Sequence, residues 1–138
     1  MIAYLDASVV LRLVLGEPGR LREIDRVTSA VSSELVQVEC LRTLDRLRHQ
    51  DKLTEQDLAE RRGIVIRFLE AVEEVDITRP ILARASDPFP TSLGTLDAIH
   101  LATALAYRDA RRKPIVMATH DTALGLASRA VGLEVLGC

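Results

Sequence analysis

The sequence predicts an α/β protein: a mostly parallel central sheet of four to five strands between two layers of helices. Three observations carry that expectation. Short apolar runs such as IAYL, PIVMA and LEVL alternate with longer stretches whose apolar residues recur three or four positions apart. The strand-like runs are continuous rather than alternating, as expected of strands covered on both faces. Aromatic residues are scarce, with two Phe, two Tyr and no Trp against 48% apolar residues overall, so the core must come from Leu, Val, Ile and Ala, which suit helices laid close on a sheet.

Taken in order, Ile2 to Leu5 reads as a buried strand and Ala7 to Leu15 as a helix stopped by Gly16, with Glu17-Pro18-Gly19 as a turn. Arg20 to Val27 reads as a second helical stretch, and Thr28 to Val31 as a brief β-favouring segment. Ser32-Ser33-Glu34 supplies cap-type residues for a long helix to about His49, in which Leu35, Val38, Leu41, Leu44 and Leu47 keep helical spacing. Thr54-Glu55-Gln56-Asp57 resembles a capping box for a helix running to about Ala71 despite Gly63. Val72 to Ile77 reads as a strand, Arg79 to Ala85 as a short helix and Asp87-Pro88-Phe89-Pro90 as a loop. Thr95 to Arg111 is an Ala-rich helix, apolar on most sides, of the kind that lies close against a sheet. Pro114 to Ala118 is a strand, Asp121 to Ala130 a helix stopped at Gly132, and Leu133 to Leu136 a last strand. With no repeat and no linker, residues 1–138 read as a single domain.

Composition narrows the function classes. No segment has the apolar length of a membrane-spanning helix or the layout of a signal peptide, so a cytoplasmic protein without membrane contact is expected. Cys40 and Cys138 lack zinc-site or disulfide-framework spacing and read as reduced, structural residues. A net charge of −2 gives no basic footprint for nucleic acid. That sum counts all 20 acidic residues as uncompensated; if four of them held cations, the 18 Lys and Arg would be in slight excess.

Ligands of parallel α/β sheets collect beyond the carboxyl ends of the strands, and Asp6 stands at such an end. Asp121 follows the PIVMA strand. Glu39 lies in the helix after the second strand-like segment, and Asp97 lies in the first turn of the Ala-rich helix within TLDAIHLATA. Four carboxylates crowded together repel one another unless a cation shares the site, and oxygen-only ligation points to Mg²⁺ or Mn²⁺. Such a site suits phosphoryl chemistry. Each acid also has an ordinary role: Asp6 and Asp121 as helix caps, Asp97 through the helix dipole. Glu39 is harder to place so, because a carboxylate among buried neighbours is costly without a partner.

Four stretches, YLDASVVL, SSELVQVECLRTL, TLDAIHLATAL, and VMATHDTAL followed by AVGLEVL, resemble the PIN domain and, within it, the VapC-type toxins of toxin–antitoxin pairs. The resemblance spans almost the whole chain in the expected order. It implies a three-layer α/β/α PIN-like domain and an endoribonuclease that hydrolyses RNA phosphodiester bonds with a metal-activated water, leaving a 5′-phosphate and a 3′-hydroxyl. Asp6, Glu39, Asp97 and Asp121 match the catalytic, metal-binding acids of the family. Ser8 and Thr119 match small hydroxyl positions beside those acids, either orienting a water or carboxylate or serving as turn and cap residues. A VapB-type antitoxin that covers the acidic pocket, and a homodimer, are implied as partners.

Arg42, Arg46 and His49 follow Glu39 at helical steps, either guiding an RNA backbone toward the acids or forming a solvated face with Asp45. Glu34 has a helix-entry role, His100 reads as a packed or paired residue, and His120 as an exposed loop residue. Apolar residues Leu53, Leu58, Ile64, Val65, Phe68 and Leu69 offer either core packing or a groove for an amphipathic partner helix. Two rival readings are an aspartate-based phosphohydrolase, which wants an acid where Ser8 stands, and a PIN-like module that only binds RNA or protein. Intact acids at all four matched positions argue against the latter.

Overall fold

The computed structural model describes residues 1–138. Five strands, β1 (Ile2–Leu5), β2 (Ser29–Ser33), β3 (Val72–Val75), β4 (Val116–Ala118) and β5 (Glu134–Leu136), form one sheet of order β3-β2-β1-β4-β5 in which every pairing is parallel. Six helices cover it: α1 (Ala7–Leu15), α2 (Leu35–His49), α3 (Glu55–Leu69), α4 (Arg79–Ser86), α5 (Thr95–Arg111) and α6 (Thr122–Ala130).

The pleat of β1 separates two cores. Ala3 and Leu5 point into a cluster with Val9, Val10, Val36, Cys40, Leu44 and Val65 from α1, α2 and α3. Tyr4 points the other way, to Val31, Leu101, Ala104, Leu105, Met117, Leu124 and Ala127, on the face covered by α5 and α6. This two-sided burial is why β1 and β4 read as continuous apolar runs, whereas β3 at the sheet edge exposes Glu73 and Glu74. No helix is long and apolar enough to cross a membrane.

Local signals fix the ends. Gly16 closes α1 in the left-handed conformation at φ 64°, where a Cβ would be strained. Thr54 and Asp57 form the reciprocal capping box expected for α3. Other boundaries move. Arg20 to Val27 is helical only over Arg22–Arg26, as a 3-10 turn, because its apolar residues Leu21, Ile24 and Val27 recur at a period of three rather than 3.6. β2 runs on through Ser32 and Ser33, which pair with Glu74 and Val75, so these serines are strand residues rather than a cap approach. Ser33 still accepts from the Leu35 N–H at 3.3 Å, while Glu34, with no side-chain cap, accepts from the Ile77 N–H at 3.2 Å. β3 stops at Val75 because its partner has turned into α2. β4 begins at Val116, since Pro114 has no N–H for a ladder and pairing with β1 starts at Ala3.

Most of the apolar surface on α2 and α3 is core. Val65 and Leu69 are buried, and Leu53, Leu58 and Phe68 pack against the same cluster, leaving Ile64 and Ile66 as the outward-facing apolar residues of α3.

Candidate active site

The order of the sheet decides what can meet. β1 is central, flanked by β2 and β4, so the chain leaving β1 and the chain leaving β4 emerge side by side at the carboxyl edge. Asp6 leaves β1 with its N–H still bonded to the Ala118 carbonyl at 3.2 Å. Thr119 and Asp121 leave β4. From the flanking layers α2 brings Glu39 and the first turn of α5 brings Asp97. All four acids line one cavity of about 420 Å³, together with Ser8, Arg42, Arg46 and His100. A hollow of about 400 Å³ at the opposite edge, around Met1, Pro114 and Leu133, contains none of them.

Asp6 is the most constrained of the acids. Only 5% exposed, it accepts from Ser8 Oγ at 2.5 Å and from the Val9 N–H at 3.2 Å through Oδ1, and from Thr119 Oγ1 at 2.6 Å through Oδ2. It therefore caps α1, as its ordinary role requires, while lining the cavity. The two hydroxyls are held in turn. Ser8 Oγ accepts from the His120 N–H and Thr119 Oγ1 from the Asp121 N–H, both at 2.9 Å. Ser8 and Thr119 thus orient the Asp6 carboxylate and serve the turn together. Asp121 caps α6 by accepting from the Leu124 N–H at 2.9 Å.

Glu39 is bound through Oε1 by His100 Nε2, and the far side of that ring, Nδ1, meets the Tyr4 hydroxyl at 2.8 Å. His100 is packed and paired, as its sequence context suggested, at 1% exposure. Sequence reasoning missed Tyr4; the one available signal is a hydroxyl-bearing aromatic in an otherwise aliphatic strand.

Asp97 is different again. Burial, then the charges of Asp121, Asp6 and Glu39, push its pKa up from 3.8 to about 6 against an opposing pull from His100. No protein hydrogen bond relieves it. Beneath the acids, burial and then the charges of Glu39 and Asp6 push the Cys40 thiol up to about 12, which leaves it an inert core residue. Arg42 and Arg46 reach the cavity, but Arg42 pairs with Asp45 at 3.1 Å and Arg46 donates to Thr43 at 2.8 Å, so both the solvated-face and the phosphate-guiding descriptions of this stripe retain a structural basis. His120 is half-buried rather than exposed, with Nδ1 at 3.1 Å from the Gly137 carbonyl oxygen. Val38 and Leu96, 58% and 49% exposed, form an apolar rim to the acids.

The donor set fits a hard divalent cation. All four candidate ligands are carboxylates, and their mutual repulsion on Asp97 is what a cation would relieve. No three acidic, His or Cys side chains are gathered tightly enough to grip an ion by direct ligation alone. Such looseness suits Mg²⁺, which keeps several waters and takes one or two carboxylates directly.

The fold and pocket together define an α/β protein with an acid-lined cavity at the carboxyl edge of a parallel sheet. The PIN domain family model matches residues 3–128. Ribonuclease VapC45 of Mycobacterium tuberculosis is 31% identical over 97% of this chain and 94% of its own length, and Ribonuclease VapC46 of the same species is 31% identical over 96% and 95%. Among solved structures, VapBC2 from Rickettsia felis bound to a promoter DNA fragment superposes with a TM-score of 0.66 over 98% of this chain and 97% of that one at 12% identity. A toxin–antitoxin complex from Klebsiella pneumoniae gives 0.58 over 89% of each chain at 15% identity, and both likenesses concern the fold. The chain belongs to the PIN domain family.

Proposed function

We propose that this chain is an endoribonuclease, the toxin of a toxin–antitoxin pair, and that it hydrolyses RNA phosphodiester bonds with Mg²⁺ or Mn²⁺ held by Asp6, Glu39, Asp97 and Asp121. The single observation that carries this reading is the convergence of acids from four separate elements on one cavity, where burial and then the charges of the other acids raise the pKa of Asp97. Relatives named as VapC ribonucleases over nearly their whole length support it. When bound, a divalent cation supplies a lowered water pKa and neutralises charge on phosphate oxygens.

The chain's own residues do the rest. Ser8, Thr119 and the Val9 N–H fix the direction of Asp6, so its carboxylate is preorganised before substrate arrives. Asp97, which accepts no protein donor, has both oxygens free for the cation. Arg42 and Arg46 line the approach and attract the RNA backbone, which must be read by shape and phosphate contacts because the cavity has no aromatic platform for stacking bases. The cognate partner on this reading is a VapB-type antitoxin that covers the cavity. Residues 1–138 act as one PIN domain, as a homodimer in the cytoplasm.

Purified protein incubated with RNA and Mg²⁺ or Mn²⁺ should cleave it to 5′-phosphate and 3′-hydroxyl ends, and EDTA should stop the reaction. Asp6→Asn and Asp97→Asn should each abolish cleavage while leaving the urea-unfolding transition cooperative, and should relieve toxicity on expression. Cleavage that survives both substitutions, or proceeds in EDTA, overturns the proposal.

A further inference from the structure

His100 is a buried polar group that no step above uses. It lies on α5 but is enclosed by Tyr4 of β1, Ser33 of β2 and Glu39 of α2. A sealed imidazole is costly unless its nitrogens find partners, and here both do. Chemistry fixes the direction of the Glu39 bond and supplies a donor for the other. A carboxylate oxygen has no hydrogen to give, so the hydrogen between His100 and Glu39 belongs to Nε2. Burial raises the pKa of the Tyr4 phenol and keeps it protonated, so it has a hydrogen to donate to Nδ1 at 2.8 Å. The rings meet edge to face, with centroids 5.8 Å apart and planes at 74°, which holds the imidazole in one orientation.

Glu39 has no comparable anchor on its own helix. The next cation along the face, Arg42, is paired with Asp45, and the Glu39 side chain is 19% exposed. Without His100, a flexible carboxylate would have to be ordered at the moment a cation binds, at a cost in conformational entropy.

We propose that Tyr4, His100 and Glu39 form a positioning relay. His100, aimed by the Tyr4 hydroxyl, holds one oxygen of Glu39 and leaves the other directed to the cation. His100 is a positioning residue that acts through Glu39. The inference rests on the acid-site reading given above, and it deepens that reading by separating the three residues into an anchor, an aiming group and a ligand.

The test is Mn²⁺ titrated into purified, metal-free protein by calorimetry, without RNA. Glu39→Gln and Asp97→Asn report on the acid site itself. His100→Leu should weaken Mn²⁺ binding by about 10- to 100-fold, the usual consequence of losing a partner that orients a ligand. His100→Gln and His100→Asn then separate positioning from packing. The Gln amide nitrogen reaches the place of Nε2 and should recover most of the affinity, whereas the shorter Asn reaches only the place of Nδ1 and should behave like Leu. Tyr4→Phe should weaken binding less than His100→Leu, because it loosens the ring without removing the donor. The ¹⁵N signals of the His100 ring should show hydrogen on Nε2 in the wild type and should shift in Glu39→Gln.

Wild-type affinity in His100→Leu overturns the relay, and so does equal recovery by Gln and Asn. If His100→Leu does not fold, the Gln–Asn comparison together with Tyr4→Phe decides the matter in the same way. Wild-type Mn²⁺ affinity in both Glu39→Gln and Asp97→Asn instead removes the acid-site reading on which the relay stands.

Discussion

Replacing Asp97 with Asn should make the metal-free protein more stable while destroying its affinity for divalent cations. The Asp97 pKa rises from 3.8 to about 6 through burial and then the charges of Asp121, Asp6 and Glu39. A rise of that size corresponds to ~3 kcal/mol in full. Asp97 is partly exposed, so screening reduces the contribution to about 1 kcal/mol. The sign follows from linkage. Because the folded pKa lies above the unfolded one, the stability associated with this group is fully present below about pH 4 and is lost as pH rises through about 6. Asn does not ionise. The stability difference between Asp97→Asn and wild type should therefore be near zero at low pH and grow to about 1 kcal/mol above about pH 7, equivalent to roughly 2–5 °C in Tm. Urea unfolding in EDTA across this range measures it. Saturating Mn²⁺ should reverse the order, because wild type gains ~2.7 kcal/mol at a hundred times Kd and the variant gains nothing. A variant that is equally or less stable than wild type in EDTA at neutral pH, with no pH-dependent difference, refutes the crowded-carboxylate argument.

Other substitutions probe neighbouring links. Thr119→Val removes the donor to Asp6 and the acceptor for the Asp121 N–H, and should cost about 2–4 kcal/mol in urea unfolding, most of it recovered by Ser. Leu44→Ala empties a fully buried site between α2 and the sheet, and should cost about 3 kcal/mol without changing the pH at which Asp97 titrates. Changing Arg42 and Arg46 together to Gln should weaken RNA binding in metal-free buffer and reduce its salt dependence by about 0.7 in log–log slope for each phosphate no longer neutralised. Gly137 has φ 100°, and a Cβ there would lie 2.3 Å from the Thr119 carbonyl oxygen, so Gly137→Ala should lift the C-terminal residues and speed thiol labelling of Cys138, whose Sγ rests 3.1 Å from that oxygen.

Features governed by short-range chemistry were legible in the sequence. The α1 stop at Gly16, the Thr54 capping box and the strand-end positions of Asp6 and Asp121 each depend on residues within a few positions, and each stands in the structure. The convergence of the four acids was legible only as a pattern of strand ends and helix turns, since side-by-side exit from β1 and β4 depends on the sheet order. Errors lay where a distant partner decided the outcome. Ser32 and Ser33 carry cap chemistry, but pairing with β3 draws them into a strand, and His120 is half-covered because the C-terminal segment returns to it. The Tyr4–His100 bond joins residues 96 positions apart and the His100–Glu39 bond residues 61 apart, distances at which a single sequence gives no local signal.

The hydroxyl of Thr119 grips Asp6 across 113 positions of chain. On the ribosome, Asp6 has long left the tunnel before Thr119 is even translated, so a half-made polypeptide carries the acid with Ser8 and the Val9 N–H beside it but nothing to hold its second oxygen. Competence thus arrives as a late, all-at-once property of the finished fold, and fragments cut short of β4 should be blank at this edge.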